Sequence, residues 1–280
     1  MFVKVDDFYI NYESSGSRGK KVAFCLPGSL GSAKTDFSPQ LASLGSKNLE
    51  VISWDPPGYG DSRPPSRDFS GNFFVRDSQV AANFMKVLNY NTYSLLGWSD
   101  GGITALQMAI SCPERVEKLV VWGANAFIDE KDVKLYNNIR DVNKWSERMR
   151  KPMEDLYGME YFKSKWEEWI DAMALLSFRN GGYVLKGDLS AISCPTLIIH
   201  GKKDPMVGEY HAQYLHKNIR GSQLYIMEDG KHNLHLKYVD EFNKLVSDFP
   251  SQMKFLITCH FFKFGRRRCE WSMLKETGYL

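Results

Sequence analysis

The segment Gly97-Trp98-Ser99-Asp100-Gly101-Gly102 sets a serine between two glycines at the spacing G-x-S-x-G. The residues before it, Tyr93-Ser94-Leu95-Leu96, read as a short buried strand, and Gly101 to Ser111 reads as a helix. A serine on such a strand-to-helix turn is lifted clear of the sheet as a nucleophile. The flanking glycines fit the same reading, because a side chain at 97 or 101 would collide in so tight a turn. The helix that opens at Asp100 aims its free N–H groups and positive dipole end at an oxyanion forming beside Ser99.

A serine hydroxyl needs a general base, and the base needs a group to orient it. Ile199-His200-Gly201-Lys202-Lys203-Asp204-Pro205 puts Asp204 just past a strand, and Asp229-Gly230-Lys231-His232-Asn233 puts His232 in the loop after the last strand. The chain order is therefore nucleophile, acid, histidine. His235 is the rival base, but it falls inside the predicted final helix, so His232 is expected to serve. His200, His211, His216 and His260 are expected to be structural or solvated. Two N–H donors are needed to hold the oxyanion. One is the backbone N–H of Asp100; the other comes from the loop Pro27-Gly28-Ser29-Leu30-Gly31, as either Ser29 or Leu30.

These residues need a scaffold, and the pattern around them supplies one. The first 12 residues read as a hairpin about Asp6-Asp7. Strands follow at 21–26, 49–54, 93–97, 118–122, 196–200 and 224–227. Helices are predicted up to about 44 and over 72–89, 101–111, 207–217 and 234–249. Strands that are apolar throughout and alternate with helices imply an α/β fold, a mostly parallel sheet with helices on both faces. The alternation breaks after Gly123. Residues 125–190 are rich in charge and aromatics (Trp145, Tyr157, Tyr161, Trp166, Trp169) and carry helical periodicity without a strand. The expected organisation is a core of 1–124 and 191–249, a helical cap over 125–190, and an atypical tail at 250–280.

Composition narrows the function classes. The 280 residues include 36 basic and 33 acidic side chains, 43% hydrophobic and 25% charged, which is ordinary globular composition and excludes a disordered or collagen-like chain. Six bases and two acids fall in 251–280, which leaves the remaining 250 residues close to neutral and argues against a nucleic-acid surface there. No apolar run approaches the roughly 20 residues that span a bilayer. Five cysteines without a CxxC or metal-ligand spacing are expected to be reduced thiols, and no metal or other cofactor is expected. The N-terminus reads directly into strand, with no leader pattern, so of a cytoplasmic or a mitochondrial location the cytoplasmic one is favoured. The expected assembly is a monomer and the expected partner a small-molecule ester.

The motifs together resemble the α/β-hydrolase superfamily and, within it, the valacyclovir hydrolase (biphenyl hydrolase-like) family. The stretches that carry the resemblance are Leu26-Pro27-Gly28-Ser29-Leu30-Gly31-Ser32, Trp54-Asp55-Pro56 with Gly58-Tyr59-Gly60, and Leu95 to Ile103. Trp122-Gly123-Ala124-Asn125-Ala126, Lys144 to Arg148, Lys203-Asp204-Pro205 and Gly230 to Leu236 add to it, so that it runs from about residue 3 to 249. It implies a cofactor-free esterase for α-amino acid esters, with Ser99, Asp204 and His232 as the triad and Asp100 holding the substrate's α-ammonium. The sequence departs at Pro57, where the family usually carries an arginine that anchors the loop, and the tail after 250 matches nothing in the family. Other reactions of the fold remain as alternatives, namely lactone, thiolactone or C–C bond hydrolysis. The complete Ser, Asp, His set weighs against a non-catalytic, ligand-binding hydrolase fold.

Asp100 is chemically odd for an esterase. Like charges at about 6 Å and an effective dielectric near 20 repel by roughly 3 kcal/mol, so a carboxylate there opposes the developing oxyanion. A substrate ammonium two bonds from the scissile carbon would turn that repulsion into binding; a protein cation or a helix-capping role are the other ways to satisfy it.

Overall fold

The computed structural model describes residues 1–250 apart from Lys20 and Lys47, so the expectations for the tail and for His260, Cys259 and Cys269 lie outside the described residues. Eight strands form one sheet: β1 (Phe2–Val5), β2 (Phe8–Ser15), β3 (Val22–Leu26), β4 (Glu50–Trp54), β5 (Tyr93–Trp98), β6 (Val116–Trp122), β7 (Thr196–Gly201) and β8 (Gln223–Met227). Their order is β1-β2-β4-β3-β5-β6-β7-β8. β1 and β2 pair antiparallel, as do β2 and β4; every other neighbour is parallel.

The helices between these strands are α1 (Ala33–Ser43), α2 (Phe73–Val87), α3 (Asp100–Ser111), α7 (Glu209–Asn218), α8 (Leu234–Lys237) and α9 (Val239–Asp248). Between β6 and β7 the chain runs instead through α4 (Glu130–Asn138), α5 (Glu147–Tyr157) and α6 (Met159–Ser177) with no strand of the sheet. The predicted final helix is two. Tyr238, at φ −117° and ψ 55°, interrupts it, while the apolar spacing runs on through Phe242 and Val246 and so reads as continuous in the sequence.

The central strands are buried along their whole length because helices cover both faces. Ala23, Cys25, Val51, Leu96 and Val120 pack with Phe37 and Leu41 of α1 and Phe242 and Val246 of α9. Their strand neighbours Phe24, Ile52, Leu95 and Val121 face the other way, onto Phe84 of α2 and Ile103 and Leu106 of α3. One-residue alternation along each strand thus feeds two separate cores. The second of these is continuous with the interior of α4–α6 through Tyr136, Phe162, Trp166, Trp169 and Met173. Met149, by contrast, is exposed. Within the described residues no helix is long and apolar enough to cross a membrane, and Cys25, Cys112 and Cys194 are free thiols.

Candidate active site

Ser99 is the one residue between β5 and α3, and it sits at φ 54° and ψ −122°, a conformation costly for any residue with a Cβ. Local hydrogen bonds hold it there. Its N–H donates to Trp122 O on the neighbouring strand (3.0 Å), and its carbonyl accepts from Gly102 (2.9 Å) and Ile103 (3.2 Å). The glycines around it are obligatory in this packing. A Cβ on Gly97 would stand 2.5 Å from the Gly101 carbonyl, and one on Gly101 would stand 2.0 Å from the carbonyl of Leu26.

The three residues expected from sequence converge. His232 Nε2 lies 3.1 Å from Ser99 Oγ, and His232 Nδ1 lies 2.8 Å from Asp204 Oδ2. Asp204 follows β7 and is itself fixed, since Oδ1 accepts from the N–H groups of Met206 (2.8 Å) and Val207 (3.1 Å). Burial alone would raise its pKa. The facing His232 and those two N–H donors outweigh burial and hold the carboxyl below its ordinary value. An ionised Asp204 requires Nδ1–H to donate, which leaves Nε2 as the acceptor for the serine proton. The ring of His232 has room because residue 123 is glycine at φ 58°; a Cβ there would fall 2.9 Å from His232 Cε1.

The remaining described histidines take other parts. His235 is fully buried; its Nδ1 accepts from Trp122 Nε1 (3.0 Å) and its Nε2 donates to Asp36 O (2.9 Å). Burial pushes its pKa down to about 3, so it stays neutral and works as a core bridge. His211 pairs with Asp132 of α4 at 2.9 Å, with both side chains fully enclosed.

In the loop after β3, Gly28 N–H donates to Asp36 Oδ2 (2.9 Å) and Gly31 N–H to Gly28 O (3.0 Å). Among the described residues the N–H groups of Ser29 and Leu30 take no partner, so both donors considered from sequence are free. Leu30 has φ 57°, and its carbonyl accepts from the Tyr157 hydroxyl of α5 (2.8 Å). The same hydroxyl accepts from Gly60 N–H (2.8 Å). One tyrosine therefore ties together the loops that follow β3 and β4.

Asp100 begins α3, and the residue is 7% exposed. Its Oδ2 accepts from Trp169 Nε1 of α6 at 2.8 Å, and among the described residues Oδ1 has no protein hydrogen bond. The nearby cation, Arg67, is already committed. It is bidentate to Asp77 (Nη1–Oδ1 3.1 Å, Nη2–Oδ2 2.5 Å) and also reaches Pro57 O at 3.1 Å. A cavity of about 10 Å³ lies between Tyr59, Arg67, Asp77 and Asp100. Burial raises the Asp100 pKa to about 7 against the opposing influence of Trp169 and Arg67. With Asp100 ionised, Asp77, Arg67 and Asp100 together carry one negative charge, and among the described residues no protein cation within ion-pair distance cancels it. Among the described residues Asp100 forms no ion pair with a Lys or Arg.

The sequence profile of the Alpha/beta hydrolase family matches residues 23–245. The chain belongs to that family. Human "Serine hydrolase BPHL" is 49% identical over 247 residues, covering 88% of this chain and 84% of the human protein. The "2-hydroxy-6-oxononadienedioate/2-hydroxy-6-oxononatrienedioate hydrolase 1" of Pseudomonas putida is 27% identical over 280 residues, covering 89% and 95% of the two chains. Among solved structures, the meta-cleavage product hydrolase CumD from Pseudomonas fluorescens IP01 aligns with a TM-score of 0.71 at 20% identity, over 89% of this chain and 96% of that one. At that identity the likeness speaks for the fold alone.

Four contributors in this α/β hydrolase escaped the sequence reading. Trp169 shows there only as an apolar position on a periodic helix. Tyr157 reads as one more aromatic of a charged segment. Asp36 looks like a first-turn helix acid, yet its carboxylate fills the loop beneath Gly31 and burial raises its pKa to about 7. Arg67 supplies the loop anchor that Pro57 was expected to take away; the sole signal was an arginine ten residues ahead of an aspartate.

Proposed function

We propose that the chain is a serine hydrolase that cleaves esters of α-amino acids through an acyl-enzyme, with Ser99, His232 and Asp204 as its triad and 125–190 as a cap over a core of 1–124 and 191–249. Ser99 Oγ attacks the ester carbonyl while His232 Nε2 takes its proton. The tetrahedral oxyanion is held by the N–H of Asp100 and by that of Ser29 or Leu30. His232 passes the proton to the departing alkoxide, then deprotonates a water that releases the amino acid and restores Ser99. Asp204 keeps His232 in the required tautomer and stabilises its charged form.

The observation that carries the substrate class is the buried, uncompensated carboxylate of Asp100 beside the nucleophile. It repels the oxyanion and binds an α-ammonium. Asp100 also disfavours the dioate substrates named for the 27% identical relative, which are anionic. The 49% identity to a protein named a serine hydrolase supports the chemical class.

The test is a panel of aminoacyl, N-acetylaminoacyl and desamino acyl esters of one alcohol, with Ser99→Ala as the zero. Asp100→Asn should lower kcat/KM on aminoacyl esters by about 2–4 kcal/mol more than on the neutral esters, the range for a buried charge-assisted contact. N-acetylation should reproduce that loss in the wild-type enzyme. Equal losses on charged and neutral esters would make Asp100 a structural residue and remove the substrate assignment.

A further inference from the structure

Trp169 lies on α6, 69 residues from Asp100 in sequence, yet its indole N–H makes the single hydrogen bond to the Asp100 carboxylate found among the described residues. The residue is 1% exposed and its ring is held from two sides: Trp166 stacks on it at 4.7 Å and Tyr136 lies against it at 5.0 Å. A wedged indole presents its N–H along one fixed line, so it fixes Oδ2 and with it the plane of the carboxylate. Oδ1 is the oxygen left for a ligand. The type of donor matters as much as its place. A lysine or arginine at 169 would orient the carboxylate equally well but would cancel its charge and the attraction for a cation. An indole N–H donates without carrying charge. It stabilises the ionised carboxylate while leaving the net negative charge in place.

Resting on the substrate reading above, we propose that Trp169 is a specificity-determining positioning residue: by tying Oδ2 of Asp100 to α6 it presents Oδ1 to the substrate's α-ammonium. Recognition of that charge then depends on α6 being seated on the core, because the donor arrives from between β6 and β7 while the acceptor belongs to the nucleophile turn. Trp169 touches neither the scissile bond nor the triad, so its effect falls on the charged end of the substrate.

The experiment compares wild type, Trp169→Phe, Asp100→Asn and the double variant on an aminoacyl ester and on the desamino ester of the same skeleton. The expected result is that Trp169→Phe lowers the ratio of the two kcat/KM values by about ten- to a hundredfold, as loss of a charge-assisted hydrogen bond implies. The fall should come mainly from a raised KM for the aminoacyl ester. In the Asp100→Asn background the same substitution should leave the ratio unchanged, because the charge it positions is gone. If Phe unseats α6, site-specific 3-benzothienylalanine at 169 keeps the ring's shape and removes only the N–H. A wild-type-like ratio in a folded variant, or equal losses on both esters, would overturn the role of Trp169. A wild-type enzyme that does not distinguish the two esters would instead overturn the reading of Asp100 on which this one rests.

Discussion

A carboxylate enclosed away from water is ionised at a cost, and Asp100 carries that cost in its pKa of about 7. Its unfolded value is near 3.9. Between those two values the folded chain holds a proton that the unfolded chain has lost. The penalty for the buried charge is therefore absent near pH 4, grows as pH rises, and is complete above about pH 7. Asp100→Asn removes it, so the variant should melt on the order of 5–10 °C above wild type at pH 8 and close to wild type at pH 4.5, read by calorimetry. Asp36, also raised to about 7, shifts both proteins alike and drops out of the difference. A stability gain over wild type no larger at pH 8 than at pH 4.5 would show that Asp100 is not ionised in the free enzyme. At this scale Ser99, Asp204 and His232 were legible because each directly follows a recognisable strand or turn motif. Trp169 and Arg67 were not, because their meaning depends on which distant residue they meet.

The elements explain why so few residues have to be exact. β5, β6, β7 and β8 lie side by side in the sheet, and residues 99, 123, 204 and 232 all fall just beyond their C-terminal ends. The sheet fixes the ends and the loops fix the side chains. Gly123 is the point at which β6 yields to the histidine. Gly123→Ala should cost little more than the strain of one left-handed residue in stability, about 1–2 kcal/mol. It should nonetheless lower kcat by about a hundredfold, because its methyl displaces the His232 ring from Ser99. Fluorophosphonate labelling of Ser99 should slow in parallel. Labelling at the wild-type rate would mean that the ring keeps its position by other means. The parallel strands and their helices were readable from composition and spacing because burial on both faces leaves an unbroken apolar run. The break at Tyr238 was not readable, since one non-helical residue does not disturb the spacing of the apolar residues around it.

Across the molecule, α4–α6 meet the core through polar contacts as well as packing. Asp132 with His211 of α7, Trp169 with Asp100 of α3, and Tyr157 with the loop residues Leu30 and Gly60 each join one residue of 125–190 to a helix or loop that flanks the sheet. Arg63 adds bonds to the Gly60 and Leu156 carbonyls and lies over the ring of Tyr157 at 4.5 Å. None of these pairings can be seen in the sequence, because each joins segments 60 or more residues apart, or depends on a loop path that only the folded chain defines. The Gly60 amide has a property of its own. Its hydrogen-bond acceptor is a side chain of α5, so its proton is shielded only while α5 rests on the core. Amide hydrogen exchange at Gly60 therefore counts how often α5 lifts away, one backbone site reporting the motion of a whole helix. Tyr157→Phe should accelerate that exchange by an order of magnitude or more while amides in β5 and β6 keep the global rate, measured residue by residue by NMR. Slow exchange at Gly60 in that variant would mean that the loop, rather than the helix above it, provides the protection.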